Sequence, residues 1–72
     1  MSYREEIRSW KKGVVGYIEE VPGGRLQAVS FSRGFLGFYD PSTDQTFTTD
    51  GKILRGNVLK TLFYEELKED LE

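Results

Sequence analysis

Two glycines three residues apart, enclosing an apolar pair, occur twice in this chain: residues 12–19 read KGVVGYIE and residues 33–40 read RGFLGFYD, an interval of 21 residues. Each copy runs basic, Gly, apolar, apolar, Gly, aromatic, apolar, acidic. A short pattern that recurs in this way reads as one hairpin design used twice, with glycine where a strand must bend or where another backbone comes close. Turn residues punctuate the same region. Pro22-Gly23-Gly24 separates VVGYIEEV from RLQAVSF, Pro41-Ser42-Thr43-Asp44 separates GFLGFYD from QTFTT, and Asp50-Gly51 precedes KILR. Each supplies a positive or preset φ at low cost. The sequence therefore predicts an antiparallel meander of about five short strands, over about 14–20, 25–32, 34–40, 45–49 and 52–55.

Helical signals flank the meander. Ser2 and Glu5 have the spacing of a capping box, and Tyr3, Ile7 and Trp10 recur at intervals of four and three, which predicts a short helix over 3–12 ended by Gly13. After Asn57, a good N-cap, the residues Val58, Leu59, Leu62, Phe63, Leu67 and Leu71 form an apolar stripe, with Glu65, Glu66, Lys68, Glu69 and Asp70 elsewhere. This predicts an amphipathic helix over 58–70 laid on the sheet. Its acidic end opposes the helix dipole, so the last turn should fray. The expected class is α+β: one domain over 1–72, a small antiparallel sheet with a short N-terminal helix and a C-terminal helix packed on it.

A chain of 72 residues has room for one thin core. It contains no cysteine and no histidine, which excludes a disulfide framework, a thiolate or imidazole zinc site and a nucleophilic cysteine. No apolar run approaches the roughly 20 residues of a membrane span, and MSYREEIRSW lacks the apolar stretch of a signal peptide. A cytoplasmic chain with no membrane partner is expected. The net charge is −2, with the acid concentrated after residue 61, as on a solvated helix face.

RGFLGFYD resembles the aromatic ribonucleoprotein motif of RNA-recognition and cold-shock domains, in which a basic residue, glycine and alternating aromatics offer rings to bases. Leu36 adds a residue between Phe35 and Gly37, and strand alternation then sets Phe35 and Tyr39 on one face and Leu36 and Phe38 on the other. Phe35 and Tyr39 would stack bases while Arg25, Arg33, Lys52 and Arg55 met phosphates. Net acidity and the internal repeat weigh against this reading. The two Gly-x-x-Gly stretches enclose apolar pairs, unlike the polar clamp of KH domains, and no phosphate loop is present. YDPSTDQTFTTDGKILRGN, within residues 34–57, resembles the bacterial β-flower type of short hairpin repeat. That resemblance implies a compact β unit that associates or binds a ligand, and it implies no chemistry.

Catalysis needs a group that exchanges protons or attacks, set in a pocket with supporting donors. Asp40, Asp44, Asp50, Glu19 and Glu20 are the acidic candidates, but the aspartates have ordinary turn settings, and serine and threonine have no histidine to activate them. DPSTDQTFTTDG lacks the late Glu of a calcium loop. We therefore expect no enzyme, no metal site and no cofactor. Ten aromatics exceed what a thin core hides, so some must be exposed on a partner surface. Trp10, Phe31, Phe38 and Phe63 are assigned to the core, and Tyr17, Phe35, Tyr39 and Phe47 to the outer surface. The leading expectation is a non-enzymatic module whose aromatic sheet face serves self-association or a partner protein. Single-stranded nucleic-acid binding is one alternative. A small inhibitor or sequestering protein of mobile-element origin is another, resting on size, acidity and the lack of catalytic groups.

Overall fold

A computed structural model describes residues 3–71. Six antiparallel strands follow one another as neighbours in a single sheet: β1 (Arg4–Ser9), β2 (Gly13–Val21), β3 (Arg25–Ser30), β4 (Gly34–Asp40), β5 (Gln45–Thr48) and β6 (Ile53–Arg55). The chain then crosses one face of the sheet as a helical segment, here α1, built from a 3-10 turn (Leu59–Phe63), an α-helical turn (Tyr64–Leu67) and a second 3-10 turn (Lys68–Leu71). The architecture is α+β. Strands β2 to β6 and α1 lie where the sequence predicts them.

The N-terminal helix expected over 3–12 is instead strand β1, so the sheet has six strands rather than five. Glu5, Ile7 and Ser9 turn toward α1 and alternate with exposed Arg4, Glu6 and Arg8, a period of two hidden inside the apparent period of 3.6. The nine-residue strand β2 would otherwise leave a long edge bare, and ten residues make a marginal helix in any case. The Ser2 cap lies outside the described residues. Trp10, assigned to the core as part of the helical stripe, lies instead on the β1–β2 turn and is 77% exposed.

The repeat is a pair of β-bulges. Between β1 and β2 the register passes from Ile7↔Gly16 to Arg8↔Val14, so Val15 is the extra residue. Between β3 and β4 it passes from Ala28↔Gly37 to Val29↔Phe35, so Leu36 is the extra residue. Each bulge swings its extra side chain into the core, where Val15 and Leu36 are both buried. Each is followed by a glycine that lets α1 approach. A Cβ at Gly16 would stand 2.3 Å from the Val29 carbonyl oxygen and 2.6 Å from Phe63 Cε1, and one at Gly37 would stand 2.4 Å from the Phe47 carbonyl oxygen and 3.1 Å from Leu62 Cδ1. Phe63 and Leu62 thus rest in two notches cut by the two copies of the repeat.

Ile7, Val15, Ile18, Ala28, Leu36, Leu59 and Phe63 form the core, with Leu26, Tyr39, Leu62 and Leu67 packed around it. Full burial of Leu59 and Phe63 contributes about 1.5–3 kcal/mol each. Among the four aromatics assigned to the core, only Phe63 is buried: Phe31 is 62% exposed on the β3–β4 turn, and Phe38 is half-buried on the face away from α1.

The repeat also fixes how α1 is held. Ser9 Oγ accepts the N–H groups of Lys11 and Lys12 and donates to Asp70 Oδ1 at 2.8 Å. Twenty-one residues on, Ser30 Oγ accepts the N–H groups of Ser32 and Arg33 and donates to Glu66 Oε2 at 2.6 Å. A basic side chain from each turn reaches an α1 carbonyl, Lys11 that of Glu69 and Arg33 that of Leu62. Thr46 Oγ1 pins the crossing strand, donating to the Gly56 carbonyl at 2.6 Å and accepting the Val58 N–H. Glu66, read from the sequence as a solvated residue, is 5% exposed and faces the sheet, whereas Leu71 of the predicted stripe is exposed.

Candidate functional site

Residues directly opposite across an antiparallel pair point to the same face. Arg4↔Glu19↔Gln27↔Phe38↔Phe47↔Ile53 therefore traces one row of side chains across the face opposite α1, and Glu6↔Tyr17↔Val29↔Phe35 traces a second. Together they form an apolar band from β2 to β6 on the face that α1 leaves open, its rings partly covered by Arg4, Arg25 and Phe31. Phe38 and Phe47 stack with centroids 4.9 Å apart and planes 18° from parallel. Phe31 leans over Tyr17 with centroids 6.0 Å apart. Phe35 and Ile53 are the most open apolar members of the two rows, at 47% and 59%.

The band has a charged border. The Arg4 guanidinium lies 4.0 Å from the Tyr17 ring centroid and 3.3 Å from Glu19 Oε2, and the Arg25 guanidinium lies 5.3 Å from the Phe38 centroid. Such cation–π contacts contribute about 0.5–1 kcal/mol at exposed sites. Arg25, Asp40, Gln45 and Arg55 close one end of the face.

The structure divides the residues singled out in the sequence. Tyr17, Phe35, Phe47, Arg25 and Arg55 share the open face. Tyr39 does not: the bulge at Leu36 shifts the alternation by one, so Tyr39 joins Gly37 on the α1 side and packs against the core while Phe38 takes its place. The expected partnership of Phe35 with Tyr39 is replaced by one of Phe35 with Phe38. Arg33 is committed to α1, with Nε 2.8 Å from Glu66 Oε2 and Nη2 2.6 Å from Glu66 Oε1. Lys52 sits on the β5–β6 turn, 3.8 Å from Asp50. Val29, Phe31, Phe38 and Ile53 are the members of the band that sequence reasoning missed. The extra Leu36 in an otherwise alternating motif was the signal for Phe38.

The acidic groups do not converge. Asp40 accepts the backbone N–H of Ser42 at 3.0 Å and its hydroxyl at 2.7 Å, bonds that hold its carboxyl below the usual range. Asp44 accepts the Tyr39 hydroxyl at 2.7 Å, which pushes that phenol up. Glu19 accepts from Arg4 and Gln27. A groove of about 550 Å³ opens on the α1 side, lined by Ile18, Leu26 and Val58 together with Tyr3, Glu5 and Lys60. There the Tyr3 hydroxyl and then the Lys60 ammonium, 2.9 Å away, lower the Glu5 carboxyl, while the bond to Glu5 raises both Tyr3 and Lys60. Glu66 is lowered to about 2, chiefly by Arg33, with Ser30 adding to the effect against the cost of burial. With Ser30 and both Arg33 nitrogens on its oxygens, it is a structural tie. Among the described residues no group of three or more acidic side chains could hold a metal ion, and no helix is long and apolar enough to cross a membrane.

Fold and site together define a small α+β domain, a six-stranded meander with one face closed by a helix and an aromatic band on the other. No family model, curated protein or solved structure matches the chain.

Proposed function

We propose that the protein is a non-enzymatic interaction module that docks a partner protein on the open sheet face. The observation that carries this is the contiguous band of Tyr17, Val29, Phe35, Phe38, Phe47 and Ile53 on the face that α1 does not close, with Phe35 and Ile53 its exposed members. Domains bury sheet faces against a second layer, and one left open in this way marks a partner surface. An apolar centre rich in Phe and Tyr with arginine at its border is the make-up of a protein interface. The end bearing Arg25 and Arg55, neither of which has an ion-pair partner among the described residues, favours a partner with acidic side chains there. The resemblance of residues 34–57 to β-flower repeats implies the same kind of unit.

Nucleic acid fits the face less well. Arg4 and Arg25 lie over the rings that bases would stack on, and Arg33 and Lys52, two of the four cations that reading needs, are engaged elsewhere.

A photo-crosslinking residue placed at Phe35, and a control at exposed Tyr64 on α1, test the proposal in cells. The expected result is a discrete protein adduct from position 35 alone, whose purified partner binds the wild type and loses at least tenfold in affinity for Phe35→Lys. No position-specific adduct, or a partner indifferent to that variant, refutes it. Amide shifts on Phe35, Phe38 and Phe47 during titration with a mixed-sequence oligonucleotide at low salt would replace it with the nucleic-acid reading.

A further inference from the structure

The two free edges of the sheet match each other, and the internal repeat shows how. In the second copy of the hairpin, Phe31 at the turn leans over Tyr17, a residue of the preceding strand, and β3 pairs with that strand through Tyr17↔Val29 and Glu19↔Gln27. Shifting by 21 residues, Trp10 stands where Phe31 does, Arg8 where Val29 does and Glu6 where Gln27 does. Among the described residues no strand lies beyond β1. Trp10, at the place of Phe31, is 77% exposed, with Lys11 Nζ 5.5 Å from its ring centroid.

We propose that β6 of a second copy of this chain fills that edge, pairing Ile53 with Arg8 and Arg55 with Glu6. Backbone parity supports this register. The Thr48 N–H donates to the Lys52 carbonyl and the Gly56 N–H to the Asp44 carbonyl, so β6 spends the groups of its even-numbered residues on β5 and turns those of Ile53 and Arg55 outward. The Glu20 N–H donates to the Tyr3 carbonyl, so β1 spends its odd-numbered residues on β2 and turns Arg4, Glu6 and Arg8 outward. Free groups therefore oppose free groups, giving four N–H···O=C bonds over two residue pairs.

The side chains agree on both faces. Ile53 takes the place of Tyr17 beneath the Trp10 indole. Arg55 meets Glu6, which Arg8 already holds at 2.7 Å within β1, and joins that pair from the directly facing position. On the α1 side the exposed Leu54 comes beside Ile7 at the margin of the core. All three residues of β6 are exposed, and two are aliphatic, on an edge where soluble proteins normally place charge or proline. Within one chain β1 and β6 are five strand spacings apart, about 24 Å, so the pairing joins different copies. It is head-to-tail: each copy offers β6 to one neighbour and β1 to another, and the aromatic band runs on from copy to copy. The contact is made by the sheet edges and shares Ile53 alone with the band proposed to dock a partner.

An interface this short is of the transient kind, with dissociation on the order of 0.1–1 mM. Sedimentation equilibrium of the wild type up to millimolar concentration should show a mass that climbs beyond the dimer. Ile53→Pro and Arg8→Pro each remove one outward N–H and no bond within the sheet, a placement that edge strands tolerate. Each alone should remain monomeric, and an equimolar mixture, with one usable edge on each chain, should form a 1:1 dimer that grows no further. Arg55→Glu and Glu6→Arg supply a second test that leaves the backbone intact: each alone should associate at least threefold more weakly than the wild type, and mixing them should restore the association. A wild type monomeric throughout, a proline variant that still self-associates while its amide spectrum is folded, or charge variants that do not complement each other would overturn the pairing.

Discussion

Replacing Glu66 by glutamine keeps the shape of the side chain and removes its charge, which isolates what the Arg33–Glu66–Ser30 tie contributes. Glu66 is 5% exposed and its carboxyl is lowered from 4.5 to about 2, principally by the bidentate Arg33 contact. A carboxylate with a depressed folded-state pKa stabilises the fold fully above its unfolded value, and that contribution disappears as the pH falls toward the folded value. The drop from 4.5 to about 2 corresponds to about 3 kcal/mol at neutral pH, an upper limit because Arg33 is partly open to solvent. Glutamine also aims an NH₂ group at donors, since both Arg33 nitrogens and the Ser30 hydroxyl donate to the carboxylate. A domain of 72 residues is stable by about 4–11 kcal/mol, so Glu66→Gln should lose up to about a quarter to three quarters of the total. Urea unfolding followed by far-ultraviolet circular dichroism measures this at several pH values. The gap between wild type and variant should be widest above about pH 5 and should narrow steadily toward pH 2. Comparison at each pH cancels the carboxyls of Glu5, Asp40 and Asp50, which are also lowered and weaken both proteins as acid is added. A gap of under 1 kcal/mol at pH 7, or one equally large at pH 2, would refute the reasoning.

Gly16→Ala forces a Cβ against a backbone oxygen and the Phe63 ring at once, so thermal unfolding should register a loss of about 3 kcal/mol or more. Gly37→Ala meets a backbone oxygen at 2.4 Å and places a side chain at φ 158°, a conformation L residues rarely adopt, so it should cost about as much as Gly16→Ala in the same melt. A double-mutant cycle with Phe38→Ala and Phe47→Ala should return a coupling of about 0.5–1.5 kcal/mol in urea unfolding, as expected for a stacked pair. Trp10→Ala, made on a turn and fully hydrated on most of its surface, should change monomer stability by less than about 0.5 kcal/mol while weakening self-association.

The turns were legible because their residues act locally: Pro22-Gly23-Gly24, Pro41 to Asp44 and Asp50-Gly51 fix their own backbone, and the strands between them could be bounded closely. The stripe of α1 was legible because burial imposes its period. What could not be read was whatever depended on a distant partner. Residues 3–12 carry both a helical and a strand spacing of apolar side chains, and the open edge of β2 decided between them. Tyr39 and Phe38 exchanged faces because a bulge moved the alternation by one, and the bulge is visible in the sequence only as an extra Leu36 whose structural effect depends on β3. Glu66 looked like surface because its partners, Ser30 and Arg33, lie more than thirty positions away in the chain. The nucleic-acid set of Arg25, Arg33, Lys52 and Arg55 assembled cations by type, and the fold separates two of them from the face.

Strands β1 to β6 pair only with sequence neighbours, so each hairpin closes a short loop, whereas the ties from α1 reach back across 36 residues to Ser30 and 61 to Ser9. Local hairpins form in microseconds and long loops close late, because their entropy must be offset before any contact rewards it. The meander can therefore zip together while its inner face is still wet, with Gly16 and Gly37 as empty sockets. Docking of Phe63 and Leu62 into those sockets then becomes the step that separates a loose ribbon from a folded domain. Truncating Phe63 should speed unfolding far more than it slows folding.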